Sequence, residues 1–367
     1  MNFTLQINTG TFLHQVTNRI EMLEKVNYCL NKLNIDKVIF GWSPNNFINE
    51  ALIELLDKHG VEKYFWLPIF SDVRDMSVSD HSQDIRGRSN APIQIVEGEN
   101  FDFICQSSPI NVNNAIKTFD NITAGLDVDG VFIDRIRYAS AANSKTSLYG
   151  CWCPRCRENY AQSNIDLKYL EVLADTDDIS KFVPDSLIDI CYRFMDTNIN
   201  KLFAVKRKTI TQAVDGLCEA FRLRKMKIGI DTFAPVLADF VGQDLLELGK
   251  LVDFVKPMIY LRTYAPAGLP YEIDALGEKI ACKLNKLWKH DILQMGLVEK
   301  AISTFSSKNI FIAPGIDVNR IEGICDATPN YVVDYINYIE HTGCQSIVLS
   351  WDALRTDKEM IDAIARH

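Results

Sequence analysis

Aspartates close four short β-type runs of this sequence: Asp134 after Gly130-Val131-Phe132-Ile133, Asp231 after Gly229-Ile230, Asp317 after Gly315-Ile316, and Asp352 after Ser350-Trp351. A lone aspartate after a strand is commonly a helix cap or turn former. Four such ends in one chain point further, to chemistry in which one carboxylate acts as nucleophile and a second as general acid/base. Glycoside hydrolysis uses such pairs, about 5–5.5 Å apart in retaining enzymes and about 6.5–9.5 Å apart in inverting ones. Asp134 is the strongest candidate, because Arg135, Arg137 and Tyr138 follow it at once. A guanidinium beside a carboxylate favours its charged form, or grips an oxygen-rich substrate with two parallel donors. Asp134 and Asp231 are therefore the catalytic candidates, and Arg137, Asp317 and Asp352 are candidate substrate ligands.

Aromatic side chains collect at the same predicted ends: Trp42, Phe70, Phe233, Tyr260, Tyr264 and Trp351. A ring with a polar edge suits a pyranose, which shows C–H groups on one face and hydroxyls at its rim. Trp42, Tyr260 and Trp351 join the substrate-binding set on this ground. Lys256 shares the inward parity of Met258 and Tyr260 in Phe254–Leu261. Three roles suit it: neutralising an interior aspartate, binding substrate, or forming a Schiff base with a carbonyl compound as a lyase or aldolase would. Cys151-Trp152-Cys153-Pro154-Arg155-Cys156 has the tight cysteine spacing of a zinc knuckle. Three thiols do not close a tetrahedral structural site, and Cys105, His81 or Cys325 could supply a fourth ligand. A structural zinc, a reversible or stable disulfide, and simple packing of buried thiols all remain open, and catalysis by carboxylates calls for no cofactor.

These groups need a scaffold that aims strand ends at one place. Eight runs read as strands: Leu5–Phe12, Lys37–Trp42, Lys63–Phe70, Gly130–Ile136, Lys227–Phe233, Phe254–Leu261, Asn309–Ile316 and Ser346–Trp351. Helical patterns alternate with them near 17–33, 45–59, 111–125, 185–221, 241–251, 272–289, 329–342 and 356–366, with a further apolar segment at 291–305. Pro44-Asn45-Asn46, Thr328-Pro329 and Thr356-Asp357 mark helix starts. Such alternation implies a parallel sheet. No G-x-G-x-x-G follows the first strand, which argues against an open dinucleotide-binding sheet. The expectation is an α/β fold, a (β/α)8 TIM barrel forming one domain over 1–367. Two long insertions, near 71–110 and 137–184, follow strands three and four and wall the carboxyl-end face, where barrel active sites lie.

The 367 residues are 47% hydrophobic and 24% charged, an ordinary globular balance. Net charge is −9, which disfavours nucleic acid as a partner. The basic run Lys206-Arg207-Lys208 reads as a solvated helix face. No apolar run is long enough for a membrane span and the N-terminus lacks a signal-peptide layout, so a cytoplasmic protein is expected. Scattered cysteines suit a reducing compartment.

With DGVFIDRIRY on the fourth strand, the cysteine-rich CWCPRC, Lys256-Pro257-Met258-Ile259-Tyr260 and Ser350-Trp351-Asp352, the chain resembles glycosyl-hydrolase-like barrels, distant relatives of the α-amylase and chitinase barrels. The resemblance implies a barrel over most of the chain and action on a carbohydrate ligand. In amylase-like barrels the fourth-strand Asp is the nucleophile and a fifth-strand Glu the acid/base. Asp134 matches the first, whereas the fifth strand here offers Asp231. The chitinase-like D-x-x-D-x-D-x-E pattern is echoed by Asp127, Asp129 and Asp134, without the final Glu. Two readings follow: a glycoside hydrolase acting on a small saccharide or glycoconjugate, or a carbohydrate-binding barrel without catalysis. The Lys256-dependent lyase is the third.

Overall fold

The structure, a computed structural model, describes residues 1–10, 18–43, 45–89 and 101–367. Eight parallel strands close into a barrel in sequential order: β1 (Asn2–Asn8), β2 (Ile35–Gly41), β3 (Glu62–Pro68), β4 (Gly130–Asp134), β5 (Lys227–Phe233), β6 (Phe254–Met258), β7 (Gly315–Asp317) and β8 (Ser346–Ser350). This is the expected (β/α)8 barrel. Strands such as β4 are buried at every residue, as parallel strands covered on both faces must be. Phe12 and Pro44, at which the first strand and the second helix were expected to end and begin, lie outside the described residues, as do 90–100 of the first insertion.

Local chemistry sets the helix ends. Asn18 and Asn45 cap α1 (Arg19–Lys32) and α2 (Asn46–His59), each accepting from a backbone N–H of the first turn. Ser108 precedes α3 (Pro109–Ile122), which opens on proline. Among the described residues no helix is long and apolar enough to cross a membrane.

Inside the barrel, Phe132 stacks on Phe254 at 5.8 Å and Tyr64 meets Phe254 edge-on at 5.4 Å. Gly229 makes this packing possible, since a Cβ there would sit 2.3 Å from Phe254. Gly315 does the same for Lys256, whose Cε would lie 2.4 Å from an added Cβ.

Several sequence expectations are corrected. The helix expected over 185–221 begins only at Thr197: α6 spans Thr197–Leu223, capped by Asp196. Residues before it form a two-stranded hairpin, Ser186–Ile188 with Cys191–Arg193, whose turn uses Asp189 at φ 54°. The helix expected over 272–289 is broken by Gly277 at φ 83° into Leu269–Leu276 and Glu278–Trp288. The seventh strand is shorter than expected: Asn309 is left-handed and Pro314 has no N–H to give. Lys206 and Arg207 are not a solvated face. The Lys206 ammonium is buried and donates to the carbonyls of Leu148 and Phe240, and Arg207 pairs with buried Asp239 at 2.6 Å. Only Lys208 of that run is exposed. The apolar periodicity of α6 turns two cations inward, toward partners in the second insertion (Leu148) and in the segment after β5 (Asp239 and Phe240).

That insertion is itself structured. It holds α4 (Pro154–Gln162) and α5 (Leu167–Asp175). The first insertion folds back on itself through the bridges Ser71–Phe103 and His81–Ile104.

Candidate active site

Ile133 pairs with Ile230 across β4 and β5, which makes Asp134 and Asp231 the next pair in register. Neighbouring strands lie about 4.8 Å apart, so both carboxylates enter the barrel mouth side by side. β6 continues the row, Asp231 pairing with Lys256.

The two aspartates have different surroundings. Asp134 Oδ2 accepts from the Trp66 indole at 2.9 Å, and its Oδ1 accepts from the Arg135 backbone N–H at 2.5 Å. The Arg135 guanidinium stands 3.9 Å from Oδ2. Donors and a nearby cation suit a carboxylate that works as an anion. Arg135 itself adopts φ 57°, a left-handed conformation costing a non-glycine residue roughly 1–3 kcal/mol. Its side chain is held by Asp72 at 2.5 Å and by the Phe101 ring, 3.9 Å from the guanidinium carbon.

Asp231 is enclosed. Its Oδ2 accepts from Lys256 at 2.8 Å, while Oδ1 has no hydrogen-bond partner among the described residues. Burial raises its pKa to about 7; Lys256 opposes this, and the charge of Asp134 adds to it. An acid in this range holds its proton near neutrality, as a general acid must. The Lys256 ammonium also donates to Gln6 at 2.6 Å and to the Tyr260 hydroxyl at 2.7 Å. Its three hydrogens are thus used, and it is wholly buried beneath the bowl.

An open bowl is lined by Asp134, Asp231, Trp66, Tyr260, Trp351 and Arg137, among others. Arg137 is buried between the rings of Phe233 at 4.3 Å and Phe103 at 4.9 Å. Burial lowers its pKa to about 10, against the opposing pull of buried Glu272.

The remaining predicted site residues lie elsewhere. Trp42 is buried behind the bowl, edge-on to Trp66 at 5.2 Å, with the Arg135 guanidinium 5.4 Å from its ring. The Asp317 carboxylate accepts from Arg262 N, Thr263 Oγ1 and the Tyr331 hydroxyl, and its pKa is raised to about 6 by burial. Asp352 accepts from Asn8 N and caps the turn Ala353–Arg355. Both serve as local scaffolding, and neither lines the bowl. Tyr264 is half-exposed and bonded to Asp274. Cys151, Cys153 and Cys156 gather with Cys105, one of the three residues named as a possible fourth ligand.

Sequence reasoning missed Trp66, Gln6, Phe101 and Glu272. Trp66 and Gln6 sit on strands one step before the ends that drew attention. The signal available was parity: Trp66 shares the inward face of β3 with Tyr64 and Pro68.

Comparison of the sequence with protein-family models gives no match, and comparison with curated proteins gives none. The structure is similar to solved barrels. The PgaB (BpsB) glycoside hydrolase domain from Bordetella bronchiseptica superposes with a TM-score of 0.61 at 10% identity, over 99% of this chain and 97% of that one. An alpha-L-fucosidase isoenzyme 2 from Paenibacillus thiaminolyticus gives 0.58 at 11%, over 100% of this chain and 48% of that one. A class V chitinase from Pseudomonas fluorescens Pf-5 gives 0.50 at 9%, over 99% and 98%. The chain therefore has the fold found in glycoside hydrolase and chitinase barrels, as its motifs suggested. At these identities the likeness is one of architecture.

Proposed function

We propose that the protein is a glycoside hydrolase in which Asp134 is the nucleophile, or the anionic stabiliser of an oxocarbenium-like transition state, and Asp231 the general acid/base. The observation that carries this reading is the pairing itself. Two carboxylates stand on adjacent strand ends of one bowl, one ringed by donors and a cation, the other buried with a raised pKa. Surroundings that differ in this way suit the two carboxyl groups to different roles.

The sugar ring would rest against Trp66, Tyr260 and Trp351, with Arg137 near its hydroxyls. Asp231, protonated, would give its proton to the glycosidic oxygen as Asp134 approaches the anomeric carbon. It would then draw a proton from water in the second step. Lys256 keeps Asp231 in place through Oδ2 and leaves Oδ1 for the proton transfer. The lyase reading is disfavoured because all three Lys256 hydrogens are engaged and the amine lies off the bowl wall. The similar folds of a glycoside hydrolase domain, a fucosidase and a chitinase support a carbohydrate substrate. Nothing in the proposed steps calls for a cofactor.

The test is hydrolysis of a panel of aryl glycosides and short oligosaccharides by the wild-type protein and Asp134→Asn. The expected result is turnover of at least one member, reduced more than about 1,000-fold by the substitution. Full activity in Asp134→Asn would overturn the role given to Asp134, and no turnover of any member despite saccharide binding would instead favour a binding barrel without catalysis.

A further inference from the structure

Outside the bowl, the densest set of reactive side chains among the described residues is a cluster of four thiols drawn from both insertions. Cys105 comes from the connection between β3 and α3, and Cys151, Cys153 and Cys156 from the connection that leads into α4. All four sulfurs lie within 4.8 Å of one another. Cys105 Sγ is 3.5 Å from Cys153 Sγ and 3.6 Å from Cys156 Sγ. A disulfide would require about 2.05 Å. Thiolates about 2.3 Å from a central zinc would stand about 3.8 Å apart, the edge of a tetrahedron. The sulfurs are too close together to enclose a multi-iron cluster.

The neighbourhood suits thiolates. Cys153 is the N-cap of α4 and Cys156 lies in its first turn, so the positive end of a helix faces the cluster. The Ser107 hydroxyl is 3.2 Å from Cys156 Sγ, in position to donate to a ligand sulfur. By contrast, Cys29 and Cys218 are buried on helix faces as ordinary small apolar residues. Packing alone does not call for four thiols from two distant segments to converge.

We infer that Cys105, Cys151, Cys153 and Cys156 bind one zinc ion as thiolates, and that this ion fastens the two insertions that wall the bowl. On binding, each thiol releases its proton to solvent and each sulfur gives one electron pair to the metal. The consequence reaches the site through short chain segments. Phe103, two residues before Cys105, packs on the Arg137 guanidinium, and Phe101 packs on that of Arg135. Gln106 donates to the Arg137 carbonyl at 3.3 Å, and Trp152 N donates to Gln83 O at 2.7 Å, joining one insertion to the other. The metal site does not depend on the glycosidase reading.

The experiment is elemental analysis of the full chain, purified under reducing conditions and dialysed after incubation with excess zinc. The wild type should retain about one zinc per chain. Cys105→Ser and Cys156→Ser should each fall below about a tenth of that and unfold on the order of 5–10 °C lower, because structural zinc binding contributes directly to folding free energy. Exposed Cys282, far from the cluster in sequence, supplies the control: Cys282→Ser should keep its zinc. If the serine variants do not fold, cobalt reconstitution of the wild type decides, with the absorption of a tetrahedral tetrathiolate centre expected. Retention of less than a tenth of an equivalent by the wild type, iron in place of zinc, zinc retained by Cys156→Ser, or octahedral cobalt would each overturn the proposal.

Discussion

Asp231 combines a buried salt bridge to Lys256 with an oxygen that has no hydrogen-bond partner among the described residues, an arrangement whose cost makes sense when that oxygen has work to do. If it is the acid, activity on a cleaved glycoside should fall as pH rises through about 7, because deprotonation removes the proton the leaving group needs. Asp231→Asn should lower kcat/KM by about 100- to 10,000-fold and remove this limb from the pH–rate profile. Trp66→Phe deletes a charge-assisted hydrogen bond to Asp134, a contribution of about 1.5–3 kcal/mol, so a loss of about 10- to 100-fold in kcat is expected from steady-state kinetics. Asp134 and Asp231 were legible in the sequence because strand parity fixes which residues face the barrel mouth. Trp66 obeyed the same parity, yet it sits before the strand end and reads as ordinary core. Asp317 and Asp352 satisfied the same pattern and then found partners close by in the fold, Arg262 and Thr263 for one and Asn8 for the other. No spacing rule announces those partners. Glu272 acts on Arg137 only because the fold brings a helix distant in sequence near it.

At the level of elements, β5, β6 and β7 hold the acid in place through a side chain and the absence of one. Gly315→Ala would drive a methyl group to within 2.4 Å of Lys256 Cε, overpacking a site with no slack. The expected cost is about 1–3 kcal/mol in urea denaturation. Displacing Lys256 also weakens its opposition to the raised pKa of Asp231, so the descending limb of the pH–rate profile should move above 7. In α6, Asp239→Ala would leave Arg207 buried without its anion and should destabilise the protein by about 3–5 kcal/mol. The sequence showed α6 as a helix but put its basic residues in water, since a charge run is usually solvated. Their burial follows from polar partners on other segments: the Leu148 and Phe240 carbonyls and Asp239. The hairpin before α6 escaped notice for a related reason: its few apolar residues fit a helical period as well as a strand one.

For the molecule as a whole, the barrel was the most legible feature, because the alternation of eight apolar runs with helical patterns admits few closed solutions. The insertions were legible only as length, and their folds depend on bridges, hairpins and the thiol cluster. Interior acids also set how the whole protein responds to pH. Asp231 and Asp317 have folded pKa values of about 7 and about 6, above an unfolded value of about 3.9. Their contribution to stability is fully present below the unfolded value and is lost as pH rises through the folded one, since the native state then holds protons the unfolded chain has released. Denaturation midpoints should therefore show a component that declines between about pH 4 and pH 7, and Asp231→Asn should flatten it. The central claim is that Asp134 and Asp231 flank a bound sugar, and the most direct measurement is a crystal structure of Asp231→Asn soaked with oligosaccharides. The account predicts a ring seated against Trp351 and Trp66, its anomeric carbon about 3–3.5 Å from an Asp134 oxygen and its glycosidic oxygen facing residue 231. A saccharide bound away from both residues would contradict it.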